Sequence, residues 1–134
     1  MTATEGKPTI LIADDEPGFR DLFCFTLEPL GYEITTVADG LQALEAIRRR
    51  PFDLVVLDVH MPRMGGPEAL TRIRELRPDQ RVIVLSSSSD ASHSFETLAT
   101  ASGASACLFK PVEIDELIAA IERAIAAPAT GGSA

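Results

Sequence analysis

The sequence predicts an α/β fold in which a parallel β-sheet is covered by helices on both faces. Three observations lead to it. Short apolar runs alternate with longer helical patterns five times along the chain. Three of those runs are nearly continuous in Ile, Leu and Val, as central strands buried on both faces require. The segments between them repeat apolar residues at the 3.6-residue period of a helix with one buried side.

The first run, "TILIAD" (residues 9 to 14), is continuous and therefore central, and it ends in the acidic pair Asp14 and Asp15. A helix follows, with Phe19, Leu22, Phe23, Leu27 and Leu30 as its apolar stripe and Gly31 where a C-cap belongs. At about 100° per residue Phe25 falls well off that stripe, so it is expected to be partly exposed. "YEITTV" (32 to 37) alternates apolar and polar residues, the pattern of an edge strand. Asp39 and Gln42 resemble a capping box opening the second helix. That helix runs into Arg48, Arg49 and Arg50 and stops at Pro51. A solvated helix end, whose positive charge suits the helix dipole, is a simpler reading of the three arginines than a nucleic-acid patch.

The third run, "DLVVLD" (53 to 58), is apolar until it meets Asp58. Met61, Pro62, Met64, Gly65 and Gly66 then read as a turn: Pro fixes it, Met fills irregular space, and the glycines permit a tight approach. Pro67 sits at the first turn of a third helix. "RVIVLS" (81 to 86) is the other near-continuous strand. The polar run "SSSSDASHS" (86 to 94), which holds Ser88 and His93, reads as a loop. "HSFETLATAS" (93 to 102) should be the least stable helix, because Ser and Thr side chains compete for backbone groups. "ACLFK" (106 to 110) is the fifth strand, Pro111 follows it, and Ile114, Leu117, Ile118, Ile121 and Ile125 form the stripe of a last helix. Residues 1 to 7 and 128 to 134 are small and polar, and are expected to be flexible tails around one domain at 8 to 127, the second readable as a linker.

A chain of 134 residues can bury one real core and has no room for a second domain. Its net charge of -8 leaves no basic footprint, which argues against direct nucleic-acid binding or attachment to an anionic membrane. No apolar run is long enough to span a bilayer and "MTATEGKP" lacks a secretory pattern, so a cytoplasmic location is expected. Cys24 and Cys107 have no metal-ligand spacing and read as reduced packing residues.

Ligands of open parallel sheets bind beyond the carboxyl ends of the strands. There the first strand ends in Asp14 and Asp15, the third in Asp58, the fourth in Ser86 and the fifth in Lys110. Gathered carboxylates repel, and a small divalent cation relieves the repulsion; oxygen-only ligands with open positions suit Mg2+. An Asp beside Mg2+, with a hydroxyl and an ammonium converging, is equipped for phosphoryl transfer to Asp58 as an aspartyl phosphate, with Ser86 and Lys110 balancing charge. Neither "GxxxxGK[ST]" nor "GxGxxG" occurs, so the donor is expected to be a partner's phospho-residue or a small phosphorylated molecule.

"LIADDEP", "VLDVHMPRMGG", "VIVLSS" and "LFKPV", in this order and spacing, resemble the response-regulator receiver domain of two-component signalling over roughly residues 8 to 127. The resemblance implies a flavodoxin-like, receiver-type sheet in the order 2-1-3-4-5 with five helices. It implies Asp58 as phosphoacceptor, Asp15, Asp58 and the His60 backbone carbonyl as direct Mg2+ ligands, and Asp14 acting through a water. Lys110 would contact the phosphoryl oxygens and Ser86 would swing toward them. Family members couple that swing to an aromatic residue three positions before the lysine, where this chain has Cys107. Alternation puts Phe109 on the same strand face, so either Phe109 substitutes or the switch is muted. The implied partners are a sensor histidine kinase or histidine phosphotransfer protein, and a downstream protein or fused output domain, the chain being stand-alone or excised. The readout surface would be formed by the fourth helix, fifth strand and fifth helix, with Phe25 a candidate contact for the donor.

Three rivals stay in view. An Asp-nucleophile phosphohydrolase favours a second acid two residues after the nucleophile, where this chain has His60. The His60 side chain reads as a border of the site that tunes water access together with Ser88, not as a ligand, since carboxylate Mg2+ sites rarely recruit imidazole. A flavin module on the same fold would not place Asp14 and Asp15 where phosphate binds. A pseudo-receiver that only binds partners is favoured by Cys107 and opposed by the full set of five polar residues.

Overall fold

A computed structural model of the protein describes residues 7–59, 63–64, 66–87, 106–110 and 113–126. Its strands are β1 (Thr9–Ala13), β2 (Glu33–Val37), β3 (Leu54–Asp58), β4 (Val82–Ser87) and β5 (Ala106–Lys110). Its α-helices among the described residues are α1 (Pro17–Leu27), α2 (Gly40–Arg49), α3 (Gly66–Leu76) and α4 (Ile114–Ala126), with a 3-10 turn at Glu28–Leu30. All pairings are parallel and the order is β2-β1-β3-β4-β5. The helix expected at 93 to 102, its preceding loop with Ser88 and His93, Pro111, and the tails apart from Lys7 lie outside the described residues.

The alternation of strand side chains divides the core in two. Leu11, Val55, Leu57, Val82 and Val84 point to one face and pack with Ala43, Leu44 and Ile47 of α2 and Leu70 and Ile73 of α3. Ile10, Ile12, Leu54, Val56, Ile83 and Leu85 point to the other and pack with Phe23 and Leu27 of α1 and Leu117 and Ile121 of α4. Each fully buried large side chain contributes about 1.5–3 kcal/mol relative to exposure. β3 is buried at every residue and β2 at none, as a central and an edge strand should be.

Helix α1 departs from its expected stripe. Phe23 and Leu27 are buried, but Leu22 is 46% and Leu30 54% exposed. Leu22 lies about 100° round the helix from Phe23, on the flank of the face that meets the sheet. Leu30 falls beyond the helix altogether, in a 3-10 turn that Gly31 closes with φ of 101° and an amide hydrogen bond donated to the Glu28 carbonyl. Phe25 is 83% exposed, as its angular position requires.

The end of α2 bears out the reading of the arginines. Arg48 and Arg49 lie in its last turn; Arg49 pairs with Glu45 at 3.8 Å, and Arg50 pairs with Glu33 at 3.5 Å and covers the Phe52 ring. These exposed ion pairs contribute little individually.

The start of α2 is held more firmly. Asp39 caps it, accepting from the Gln42 amide at 2.9 Å, while the Gln42 side chain accepts from the Ala38 amide at 2.8 Å. The reciprocal bond of the expected capping box thus reaches one residue further back than Asp39. The Gly40 amide donates to the Met64 carbonyl at 3.2 Å, and a Cβ at Gly40 would lie 2.4 Å from that oxygen. Gly40→Ala should therefore force α2 and the Met64 backbone apart and cost about 1–3 kcal/mol. Urea unfolding measures this, and a change within experimental error would contradict the close approach.

Candidate functional site

The acidic edge is built from the ends of β1 and β3, which the sheet order makes neighbours. Past Ala13 the Asp14 amide donates to Val37 at 3.1 Å, extending the ladder by one residue. The Asp14 side chain then turns the chain into α1, its Oδ1 accepting from the Glu16 amide at 2.9 Å. Arg20 donates to the Asp14 carbonyl at 2.7 Å. At the end of β3, Asp58 pairs with Leu85 in register, and the next amide, Val59, donates to the Leu85 carbonyl at 2.9 Å.

Asp14 is wholly buried, Asp58 is 2% exposed, and Asp15 faces solvent. One carboxylate oxygen from each lies within 4.8 Å of the other two. Repulsion between two ionised groups at 4–5 Å is on the order of 3–4 kcal/mol at an effective dielectric of about 20. Two buried donors and one open to solvent, all oxygen, fit a hard divalent cation that keeps several waters, and so fit Mg2+.

Ser86 and Lys110 stand at the same end of the sheet. The register aligns Ala13, Leu57 and Val84, and Leu85 with Leu108, so Asp14, Asp58, Leu85 and Leu108 share one level. Ser86 lies one residue and Lys110 two residues further toward the carboxyl edge. Cys107 pairs with Val84 and Phe109 with Ser86 in register. Only the backbones of Ser86, Cys107, Phe109 and Lys110 are described. His60, Met61, Pro62 and Gly65 lie outside the described residues.

One contact beside this edge had no counterpart in the sequence reading. Arg63 adopts a left-handed backbone, φ 69°, and its guanidinium meets Asp39 Oδ2 at 2.9 Å through Nε and 2.8 Å through Nη2. Asp39 is 5% exposed, one oxygen capping α2 and the other held by Arg63. Burial pushes its carboxyl up, but the Gln42 amide, the Arg63 hydrogen bond and charge, and the Leu41 amide outweigh burial and hold it below the usual carboxylate range. A left-handed arginine gives no sequence signal; the Asp39-Gly40 pair was the available hint of a close approach.

A response regulator receiver domain family matches residues 10–122. The crystal structure of a CheY-like receiver domain protein from Methanospirillum hungatei JF-1 superposes with a TM-score of 0.84 at 30% identity, covering 90% of this chain and 94% of that one. The sensor protein EvgS of Escherichia coli K12 is 37% identical over 111 residues, 83% of this chain and 9% of EvgS. The transcriptional regulatory protein ZraR of Escherichia coli O157:H7 is 37% identical over 123 residues, 92% of this chain and 27% of ZraR. The chain thus spans a minor part of these two relatives.

The Asp39 carboxyl gives a pH-dependent prediction. Its folded value is depressed, so its contribution is complete above the ordinary Asp value of about 3.9 and is lost as the pH falls through the folded value. Asp39→Asn keeps a capping oxygen but loses the charge; it should cost about 1–2 kcal/mol at pH 7 and distinctly less at pH 3. Urea unfolding at the two pH values reads the difference, and an equal cost at both would contradict the assignment.

Proposed function

The chain belongs to the response-regulator receiver domain family, and from that premise we propose that it is a phosphorylation-dependent switch of two-component signalling with Asp58 as phosphoacceptor. The observation that carries the reading is the approach of Asp14, Asp15 and Asp58 to within 4.8 Å of one another. Asp15, Asp58 and the His60 backbone carbonyl would hold Mg2+ directly, and Asp14 through a water. When bound, the ion supplies positive charge opposite the phosphoryl oxygens.

The donor is the phosphohistidine of a sensor histidine kinase or of a phosphotransfer protein. An Asp58 carboxylate oxygen attacks phosphorus; the P–N bond breaks and its electron pair remains on the imidazole, which takes up a proton. Lys110 and the Ser86 hydroxyl donate to the transferred oxygens. Attack of water on phosphorus later frees phosphate and restores the carboxylate. Chemistry is confined to the protein's own Asp58, and the result is regulatory: added charge shifts an equilibrium between two shapes that a partner reads. The readout face comprises β5, α4 and the segment between β4 and β5, and acts on a downstream protein or a fused output domain. The ZraR relative's name as a transcriptional regulatory protein suits the latter.

Cys107 favours a muted switch with no ring rotation at that position. An ordered swing of Phe109 between structures with and without a phosphate analogue would instead show that the aromatic element sits two residues later. A cytoplasmic location accords with such partners; among the described residues no helix is long and apolar enough to cross a membrane. Cys107 also favours the second reading, a receiver that binds partners without phosphorylation.

Incubation with Mg2+ and acetyl phosphate followed by intact mass measurement distinguishes the two. The wild type should gain one phosphate and Asp58→Asn none; failure of the wild type to label with several donors favours the binding-only reading. Phe25, exposed on α1, is a candidate contact for the phosphodonor. Phe25→Ala should slow transfer from the cognate donor while changing stability by less than about 0.5 kcal/mol. Unchanged transfer would remove that role.

A further inference from the structure

We propose that Arg20 is a positioning residue for the acidic site: by holding the Asp14 carbonyl from the first turn of α1, it fixes the peptide that joins Asp14 to Asp15 and so sets how tightly the carboxylates hold Mg2+. The inference rests on the reading of the site given above and adds one residue to it.

The two neighbouring acids differ in what holds them. Asp14 is wholly buried and bonded three ways: its amide donates to the Val37 carbonyl at 3.1 Å, its Oδ1 accepts from the Glu16 amide at 2.9 Å, and its carbonyl accepts from Arg20 Nη1 at 2.7 Å. Asp15 is exposed, and among the described residues it makes no hydrogen bond or ion pair. Its carboxylate nevertheless lies within 4.8 Å of those of Asp14 and Asp58. That placement is inherited from the backbone on either side. A peptide unit is planar from one Cα to the next, so a bond that orients the Asp14 carbonyl also orients the path to the Asp15 Cα.

Arg20 is well placed for this. Its own amide is bonded to the Glu16 carbonyl at 3.1 Å in the opening turn of α1, and its side chain is half-buried, so its guanidinium reaches Asp14 from a fixed base. At 2.7 Å the bond is at the short end for N–H donors, as a charged donor allows. Of the three bonds to Asp14 it is the one that a substitution removes without altering any carboxylate. Mg2+ demands near-octahedral oxygen ligands at about 2.0–2.1 Å, so a small shift of Asp15 is felt in affinity. Groups that orient metal ligands from outside the coordination sphere alter binding strongly when removed.

The sign of the effect separates positioning from simple electrostatics. Arg20→Met removes a positive charge next to the acidic edge, so Coulomb attraction alone would tighten Mg2+ binding. Positioning requires the opposite. Methionine keeps an unbranched stem and a high helix propensity, which limits the loss of stability.

Titration with MgCl2 followed by calorimetry is the test, with urea unfolding in the presence and absence of MgCl2 alongside. Arg20→Met should weaken Mg2+ binding by roughly threefold to tenfold. MgCl2 should also raise its unfolding midpoint by less than it raises that of the wild type. Arg20→Lys, which keeps the charge and a donor, should bind with an affinity between the two. A merely structural arginine would lower the midpoint equally with and without MgCl2 and leave the affinity alone. Unchanged or tighter binding in Arg20→Met overturns the proposal while leaving the Mg2+ site itself intact. A wild type that binds no Mg2+ overturns both the proposal and the reading beneath it. Should Arg20→Met fail to fold, Arg20→Ala, the best helix former, carries the same two outcomes.

Discussion

Two buried carboxylates, Asp14 and Asp58, stand on adjacent strands with a third, Asp15, within reach. Their enforced closeness is the constraint to which the rest of the molecule answers. A solvated acidic cluster could relax by moving apart. Here the backbone prevents it: Asp14 is held through its amide, its carbonyl and its own Oδ1, and Asp58 is the last residue of a strand bonded on both sides. So held, one oxygen of each carboxylate stays within 4.8 Å of the other two, a spacing that one divalent cation can span.

The hydrophobic layers make that rigidity possible. With β1 and β3 at the middle of the sheet and helices over both faces, a shift of either strand end would disturb two cores at once. Interiors packed to crystal-like density resist such shifts. The sheet bonding continues through Val59, and Asp39, Gly40, Arg63 and Met64 form a separate, polar fastening at the start of α2. Strand packing thus holds the carboxylates, and a salt bridge with a close backbone contact holds Arg63 and Met64 to the start of α2.

The sequence disclosed the parts of this arrangement that follow from periodicity. "LVVL" before Asp58 and "ILIA" before Asp14 read as interior strands from their length and branched residues, and the ligand edge of a parallel sheet then collects the acids without any knowledge of side-chain contacts. Phe25 and the Asp39-Gln42 cap were equally readable, because each depends on spacing along one helix. Leu22 and Leu30 were misjudged: an apolar stripe gives the direction of burial but not its angular width, nor the residue at which a helix tightens into a 3-10 turn. The Arg63–Asp39 bond was invisible because its partners are 24 residues apart and meet through an unusual backbone angle. Contacts of that kind are decided by tertiary geometry.

A divalent cation seated among the three carboxylates would show in the thermal unfolding midpoint in MgCl2 against NaCl at matched ionic strength. A specific site stabilises the folded state by about 1.4 kcal/mol for each tenfold rise in free ion above its dissociation constant, whereas screening does not distinguish the salts. The midpoint should climb with MgCl2 in the wild type and stay flat in Asp58→Asn combined with Asp15→Asn. Identical midpoints in the two salts would contradict it.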